Sequence, residues 1–335
     1  MYNYNTKKIK VKTMSGNPTI VTPRPTNIVR KTEALVRARY SLSQLAIKII
    51  TAVISMIDKK DSDLKLYVIK VKDFKELTIG KNKTIGGTAY KSIKDACDEL
   101  MDKKIEFDDG ISFTSTRWLA SSEYILDSGE IELEISQKLR PLLVQLKEGK
   151  YLNYELQNIL PLRSEYIIRL YELLKHEYNK GTQYKGHKTA MYEITIDEFI
   201  KEFQVPASYK FNNIKVQILD KAIKQFREHT DIQISYKPSR KKGKKVLAIE
   251  FSIKENTSVT PHLKTLRAFI LYMRKHFVNK NIIKMGEASV SISENGRVYD
   301  KRTLKEYDAK NSQKVWERLY ELAQKNNLQI LNNVN

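Results

Sequence analysis

Cysteine and long apolar runs are nearly absent from this sequence. Its single cysteine, Cys97, excludes an intramolecular disulfide framework and any cysteine-rich zinc site, and it fits a reducing cytosol. Nowhere do about 18 uncharged apolar residues run together, and the N-terminal MYNYNTKKIKVKTM has lysines with no apolar segment behind them. We therefore expect neither a membrane span nor a secretory signal, and we predict a soluble cytoplasmic protein without a membrane partner.

Acidic residues are scarce relative to basic ones. The 335 residues include 60 Lys+Arg and 39 Asp+Glu, a formal net charge of +21, which indicates a polyanionic partner. A merely well-solvated surface would intersperse the two signs, but residues 1–40 hold nine Lys/Arg and one acid, Glu33. A second basic cluster lies within nine residues that contain no acid: Lys237, Arg240, Lys241, Lys242, Lys244 and Lys245.

The chain is predicted to contain several domains, because 41% of its residues are hydrophobic, enough for two or three cores of ordinary size. Prolines and apolar periodicity divide it into a flexible basic arm at 1–28, an N-terminal domain at 29–148, a C-terminal domain at 149–255 and an accessory domain at 256–335. The accessory domain is predicted to be a small α/β unit with a hairpin about Asn295-Gly296 and a helix from Val315. Its 14 Lys/Arg against 7 Asp/Glu leave open whether it adds DNA contacts.

Apolar spacing in the N-terminal domain predicts the order helix, strand, short helix, helix, hairpin. Ser41 is predicted to be the N-cap of the first helix. The remaining predicted elements are a strand near 66–71, a helical turn at 73–77, a helix whose apolar face includes Ile93 to Met101, and strands at 105–107, 112–125 and 130–135.

The same order recurs in the C-terminal domain. Val71 matches Ile196 and Phe74 matches Phe199 at an offset of 125 residues. Further along, Ala96 and Leu100 match Ala222 and Phe226 at an offset of 126, and Ile105 matches Ile232 at 127. These correspondences predict two copies of one small domain.

A helix followed by a second helix and a β-hairpin is typical of the winged-helix form of the helix-turn-helix, in which the second helix enters the major groove. We therefore predict an α+β protein with tandem winged-helix domains. In the second copy a helix is predicted over 211–230 and strands over 232–236 and 246–253, with the basic cluster in the turn between the strands. That hairpin, the wing, is expected to contact the DNA backbone, although lysines also gather on solvated hairpin tips.

Three segments resemble a known family: Leu162-Arg-Ser-Glu-Tyr-Ile-Ile-Arg-Leu-Tyr-Glu-Leu-Leu, Ser41-Leu-Ser-Gln-Leu-Ala-Ile-Lys and Asp220-Lys-Ala-Ile-Lys. Over residues 28–255 the chain is similar to the initiator proteins of theta-replicating, iteron-controlled plasmids, the RepA/RepE type. The resemblance implies that a monomer binds direct DNA repeats at the origin. It also implies that a dimer represses the protein's own gene at an operator inverted repeat. At the origin it implies that the protein promotes opening of an AT-rich region and that host initiator ATPase and replicative helicase are recruited there.

The DNA-binding residues follow in part from this resemblance. Where the family places a lysine and two arginines at the start of the recognition helix, this chain has Lys215, Val216 and Gln217, so only Lys215 is retained. A helical wheel predicts that Asn213 and Gln217 read bases, since amides pair with adenine, and that Lys210, Lys221 and Lys224 contact phosphate, although a solvated surface role is the alternative for each. In the first domain the corresponding groove-facing residues are Lys81, Lys83, Thr88 and Lys91.

An enzymatic function is not expected, and neither is a cofactor or a metal. The five histidines, His176, His187, His229, His262 and His276, form no pair that would hold the metal of a nicking initiator. Lys81 lies in Gly-Lys-Asn-Lys, which lacks the spacing of a phosphate-binding loop. The closer alternative is a winged-helix transcription regulator, which the same modules would also serve.

Overall fold

The computed structural model describes residues 19–20, 23–79, 87–108, 111–125, 128–147, 151–185, 189–243, 245–256, 269–270, 273, 283–285, 288–293, 297–300 and 305–325. Two compact units are present: one comprises residues 1–156 with 202–204, and the other comprises 157–201 with 205–335. The boundary between the units falls after Leu156, because the strand at 151–155 pairs with a strand of the first unit. The sequence-based boundary was at residue 148. No helix among the described residues is both long and apolar enough to cross a membrane.

The first unit contains five helices and eight strands among its described residues. The helices are α1 Glu33–Val36, α2 Gln44–Ile54, α3 Val71–Ile79, α4 Gly87–Asp102 and α5 Arg140–Leu143. The strands are β1 Thr19–Ile20, β2 Ile28–Thr32, β3 Leu66–Lys70, β4 Lys104–Asp108, β5 Phe113–Arg117, β6 Leu119–Ile125, β7 Glu130–Ile135 and β8 Tyr151–Glu155.

The strands of the first unit form three sheets. One has the order β1-β3-β7-β6, and the β2-β8 and β4-β5 pairs form two separate ladders. The apolar face of α2 is buried, with Ile47, Ile49 and Ile50 each 1% exposed, because apolar residues recur at helical spacing along it. α3 and α4 follow β3, and the β6–β7 hairpin comes after α4, so the predicted order of elements is confirmed.

Two details of the first unit differ from the sequence-based predictions. The N-cap of α2 is Ser43, whose Oγ accepts the Ala46 amide at 3.3 Å, and not Ser41, because a capping oxygen must reach an amide of the first turn. The strand predicted at 112–125 is two strands that separate at Trp118. That side chain is 1% exposed and packs edge-on against Tyr40, with the ring centroids 5.0 Å apart.

The second unit repeats the module. Its helices are α6 Glu165–Lys185, α7 Ile196–Phe203, α8 Phe211–Ile214 and α9 Asp220–His229, with a π-helical segment, Lys215–Leu219, joining the last two. The strands β9 Thr189–Thr195, β10 Ile232–Lys242 and β11 Lys245–Glu255 form an antiparallel sheet with the order β10-β11-β9.

The residues matched between the two copies occupy equivalent places. Val71 and Ile196 are the first residues of α3 and α7. The other matched pairs are buried: Phe74 and Phe199, Ala96 and Ala222, Leu100 and Phe226, and Ile105 and Ile232. The internal repeat is therefore a repeat of core positions.

The helix α6 is the central helix of the second unit. Tyr171 packs edge-on against Phe226 of α9 at a centroid distance of 5.7 Å, and its hydroxyl donates to Asp231 at 2.8 Å. Lys175 of α6 pairs with the same carboxylate at 3.0 Å. Arg169 of the same helix is 5% exposed, because α6 is packed on more of its circumference than an amphipathic helix would be.

The C-terminal part of the chain has a hydrophobic cluster of its own. It contains β12 Ile283–Met285, β13 Ala288–Ile292, β14 Val298–Asp300 and α10 Ala309–Lys325, and β13 pairs antiparallel with β14 as the predicted hairpin does. Val290, Ile292 and Val298 of the sheet are buried with Trp316 and Leu319 of α10. The region thus has an α/β core of its own within the second compact unit, and its separation as an accessory domain stays a prediction.

Asn256 caps the end of α9, and its removal is expected to destabilise the protein. Its Nδ2 donates to the carbonyls of Phe226, Arg227 and Thr230 at 3.2, 3.1 and 2.9 Å, and the residue is 5% exposed. Asn256→Ala removes a donor from the carbonyls of Arg227 and Thr230, whereas that of Phe226 keeps the Thr230 amide, and it should lower the free energy of unfolding by about 1–3 kcal/mol. Urea denaturation measures this change. The exposed Asn212→Ala is the control, for which a change within about 0.5 kcal/mol is expected; equal losses would contradict the capping role.

Candidate nucleic-acid interface

The helix that runs from α8 to α9 separates apolar from polar side chains. Its inner face is fully buried, with Ile214, Ile218, Leu219, Ala222 and Phe226 each 0% exposed. The polar side chains predicted to contact DNA are exposed: Lys210, Asn213, Gln217, Lys221 and Lys224. Burial of the apolar side therefore fixes which side of this helix is presented outward.

The two amides predicted to read bases already have partners within the helix. Asn213 Oδ1 accepts the backbone amide of Lys210 at 3.1 Å, which caps the start of α8. Gln217 Oε1 accepts Lys221 Nζ at 2.8 Å. Each carbonyl oxygen has a second lone pair and each amide nitrogen two hydrogens, so these contacts orient the side chains and leave capacity for a base edge.

Lys215 belongs to a network that connects the helix to the wing. Its Nζ pairs with Asp220 Oδ2 at 3.1 Å, and Asp220 Oδ1 accepts the Tyr236 hydroxyl from β10 at 2.6 Å. The hydrogen bond from Tyr236, and next that from Lys215, hold the pKa of the Asp220 carboxyl below its usual value. Sequence reasoning did not assign Asp220 and Tyr236 to the site, because an acid on a basic face and a tyrosine on the next strand do not by themselves indicate DNA binding.

The wing is the β10–β11 hairpin, and its basic cluster lies mostly on the strands. The sequence placed all six residues in the turn, but the hairpin is longer than predicted, and Lys237, Arg240, Lys241 and Lys242 belong to β10. Two of the six are neutralised by acids of the same sheet. Lys237 pairs with Glu250 at 2.7 Å, and Arg240 pairs with Glu193, whose pKa is lowered chiefly by that hydrogen bond.

The end of the wing concentrates positive charge. Lys242 and Lys245 are direct cross-strand partners at the last rung and are exposed, and no acid among the described residues lies within ion-pair distance of either. Gly243 adopts a φ of +60° between them, a backbone conformation that a tight hairpin turn requires and that favours glycine. Like charges placed directly opposite destabilise a hairpin, so this arrangement favours binding of an anion.

The first module presents a different electrostatic surface. Lys91 of α4 is exposed as predicted, Thr88 lies in the first turn of α4, and Lys81 and Lys83 lie outside the described residues. One of its two hairpins, residues 119–135 with β6 and β7, holds five acids and no lysine or arginine, whereas the β4–β5 hairpin includes Lys104 and Arg117. Glu123 lies directly opposite Glu132 across the β6–β7 hairpin. This hairpin therefore cannot serve as a second phosphate-binding wing.

Two protein-family models match the chain, and together they cover more than half of it. One, described as "Initiator Replication protein, WH1", matches residues 28–175. The other, described as "Initiator Rep protein, WH2", matches residues 195–253. The two modules found in the structure thus correspond to the two winged-helix domains of one family.

Relatives of known identity or structure agree with that match. A replication initiation protein from Escherichia coli is 28% identical over 149 residues, which are 44% of this chain and 45% of the relative, so the match spans less than half of the relative's length. A crystal structure of the Pi initiator protein in complex with iteron DNA is similar in fold, with a TM-score of 0.57 and 20% identity, over 70% of this chain and 99% of that one.

The two lysines at the end of the wing are expected to contact phosphates. Replacing Lys242 and Lys245 together by Gln should flatten the dependence of DNA affinity on salt by about 2 log units per log unit of salt, equally on all sequences, because each phosphate contact contributes about 0.9. Fluorescence anisotropy at several salt concentrations measures the slope. Lys254→Gln, at the other end of β11, is the control; it removes one positive charge and should leave the slope unchanged. An unchanged slope in the double variant would exclude the end of the wing from the interface.

Asp220 is expected to limit non-specific binding. Asp220→Asn keeps an acceptor for Tyr236, removes a negative charge and releases Lys215, so affinity for random duplex should rise and the salt slope should steepen by about 0.9. The same anisotropy titration measures both quantities. Glu255→Gln, an equal change of charge at the end of β11, should leave them unchanged. Unaltered or weaker binding by the Asp220 variant would show that the Lys215 ammonium does not approach DNA.

Proposed function

This chain belongs to the initiator replication protein family, and we propose that it initiates plasmid replication by binding direct repeats, or iterons, in the duplex DNA of an origin. The observation that carries the proposal is the second module. There a helix with an exposed row of amides and lysines lies beside a hairpin whose end holds an unneutralised lysine pair. Iteron DNA is the ligand in the crystal structure of the Pi initiator, whose fold the chain shares.

The two halves of this interface have different roles. Phosphate contacts fix position and supply affinity without reading sequence, whereas contacts to base edges in the major groove supply specificity. Lys242 and Lys245 are suited to the first role, and Asn213 and Gln217 to the second. The Lys215–Asp220–Tyr236 network joins helix and hairpin, so that both elements meet a duplex in a fixed register.

The first module is proposed to contact DNA mainly through α4 and the residues before it. Lys91 is exposed on that helix, and Lys81, Lys83 and Thr88 remain predictions. The acidic β6–β7 hairpin is repelled by phosphates, so the module approaches the duplex by its helix and not by its hairpin.

Membership of the family is the basis for proposing further partners of this chain. We propose that a dimer binds an operator inverted repeat and represses the protein's own gene. On the origin the protein recruits host initiator ATPase and replicative helicase, and it acts in the cytoplasm, where plasmid DNA lies. We further propose that the chain itself performs no chemistry on DNA, because the spacing of its five histidines in the sequence supports no metal-binding pair for strand cleavage.

Footprinting of the purified full chain on the DNA that flanks its own gene tests the proposal. Protection of tandem direct repeats beside an AT-rich tract is the expected result. Protection of one isolated palindrome would instead identify a transcription regulator, and no protection at all would contradict sequence-specific binding. Supercoiled DNA that carries the repeats, incubated with Mg²⁺ or Mn²⁺, should stay closed, since nicking would overturn the proposal that the chain performs no chemistry.

Asn213 and Gln217 are expected to carry sequence discrimination. Replacing either by Ala should cost about 1–3 kcal/mol of binding free energy on the footprinted repeat and little on random DNA, because an amide can pair with adenine through two hydrogen bonds. Competition binding with both DNAs measures the two losses. Gln313→Ala, an exposed glutamine of α10, is the control. Equal losses on both DNAs would show that these amides only position the protein.

A further inference from the structure

Val216 is the one exposed large hydrophobic residue of the helix over 211–229, all of which the structure describes. It is 46% exposed, whereas the apolar positions of the inner face are 0% exposed. An exposed β-branched residue in a helix loses side-chain freedom without gaining a core contact, so stability alone gives no reason for its presence. Burial against a ligand would supply the apolar contact that this side chain lacks in the free protein.

The neighbours of Val216 face the proposed DNA site. Asn213, three residues before Val216, and Gln217, directly after it, are exposed residues of the same helix. The π-helical segment 215–219 begins just before Val216. Such segments add a residue to one turn and occur often at functional sites.

Only one apolar group is presented by base edges in the major groove, the C5 methyl of thymine. An apolar side chain among amides on a groove-facing helix is complementary to that group, whereas cytosine offers a C–H and an amino group. We infer that Val216 is a specificity-determining residue that contacts a thymine methyl in the recognised repeat. The inference rests on the proposed function, because it requires the 211–229 helix to lie in the major groove.

The test replaces each thymidine of the footprinted repeat, one at a time, by deoxyuridine, which removes only the methyl. Wild-type protein should lose affinity by about threefold to tenfold at one position, since burial of one methyl is worth close to fourfold and tight packing adds to it. Val216→Ala should bind the unmodified repeat more weakly by a similar factor. It should also show no further loss at that position, so that the two changes are coupled in a double-mutant cycle.

Two further variants make the result specific. Met191 is 57% exposed on β9, and Met191→Ala should keep the wild-type response to deoxyuridine at every position. Val216→Thr keeps one methyl and the β-branched shape, so it should retain part of the discrimination. Circular dichroism of each variant checks that the helix is intact.

The outcomes separate this inference from the proposed function. A repeat that wild-type protein binds with no loss at any deoxyuridine overturns the inference and leaves the proposed function standing. A loss that persists unchanged in Val216→Ala also overturns it, because another residue then contacts the methyl. Failure of wild-type protein to bind any repeat overturns both.

Discussion

Burial of one face of the helix over 211–229 determines which side chains of that helix face outward. Ile214, Ile218, Leu219, Ala222 and Phe226 are fully buried, and Phe226 packs against Tyr171 of α6. Removing such side chains from water stabilises the fold by about 1.5–3 kcal/mol each, far more than any surface ion pair. The helix therefore cannot rotate to change its outward face. The exposed amides and lysines are positioned by the core behind them.

Ion pairs then determine which basic residues of this fixed structure remain available to bind phosphates. In the wing, Lys237 and Arg240 are neutralised by Glu250 and Glu193. Lys242 and Lys245 at its end have no such partner among the described residues. The count of six basic residues in the wing thus overstates the charge that phosphates would meet at this hairpin. Exposed ion pairs are worth little for stability, so the acids serve mainly to confine the positive potential to the end of the hairpin.

Much of the fold followed from the sequence because hydrophobic periodicity reports burial directly. The offset of 125 to 127 residues was found from apolar positions, and those positions are core residues in both modules. The exact N-cap, the break at Trp118 and the length of the wing strands were not found, since they depend on tertiary contacts or on cross-strand pairing. The sequence pattern assigns Trp118 to a strand, and the break there is evident only from the structure, in which Tyr40 packs against it.

The candidate site was predicted less completely than the fold. Exposure of the predicted helix residues followed from the helical wheel, but which of them have partners did not. Lys215 pairs with Asp220, five residues later in the chain. Arg240 of β10 pairs with Glu193 of β9, although β11 lies between these two strands in the sheet. Pairings of this kind depend on the sheet order. In the sequence Val216 is only a departure from the family's arginine, because a search for DNA contacts considers polar residues first.

The two modules share a fold but differ in charge, and the difference has a physical consequence. A second basic hairpin in place of the acidic one at 119–135 would add phosphate contacts on every sequence, raising non-specific and specific affinity together. A DNA-binding protein competes against a large excess of non-specific sites, so what matters is the ratio of the two affinities. In the proposed interface, an acidic β6–β7 hairpin and the pairing of Lys215 with Asp220 would both lower the sequence-independent part. Contacts to bases then account for a larger share of the total.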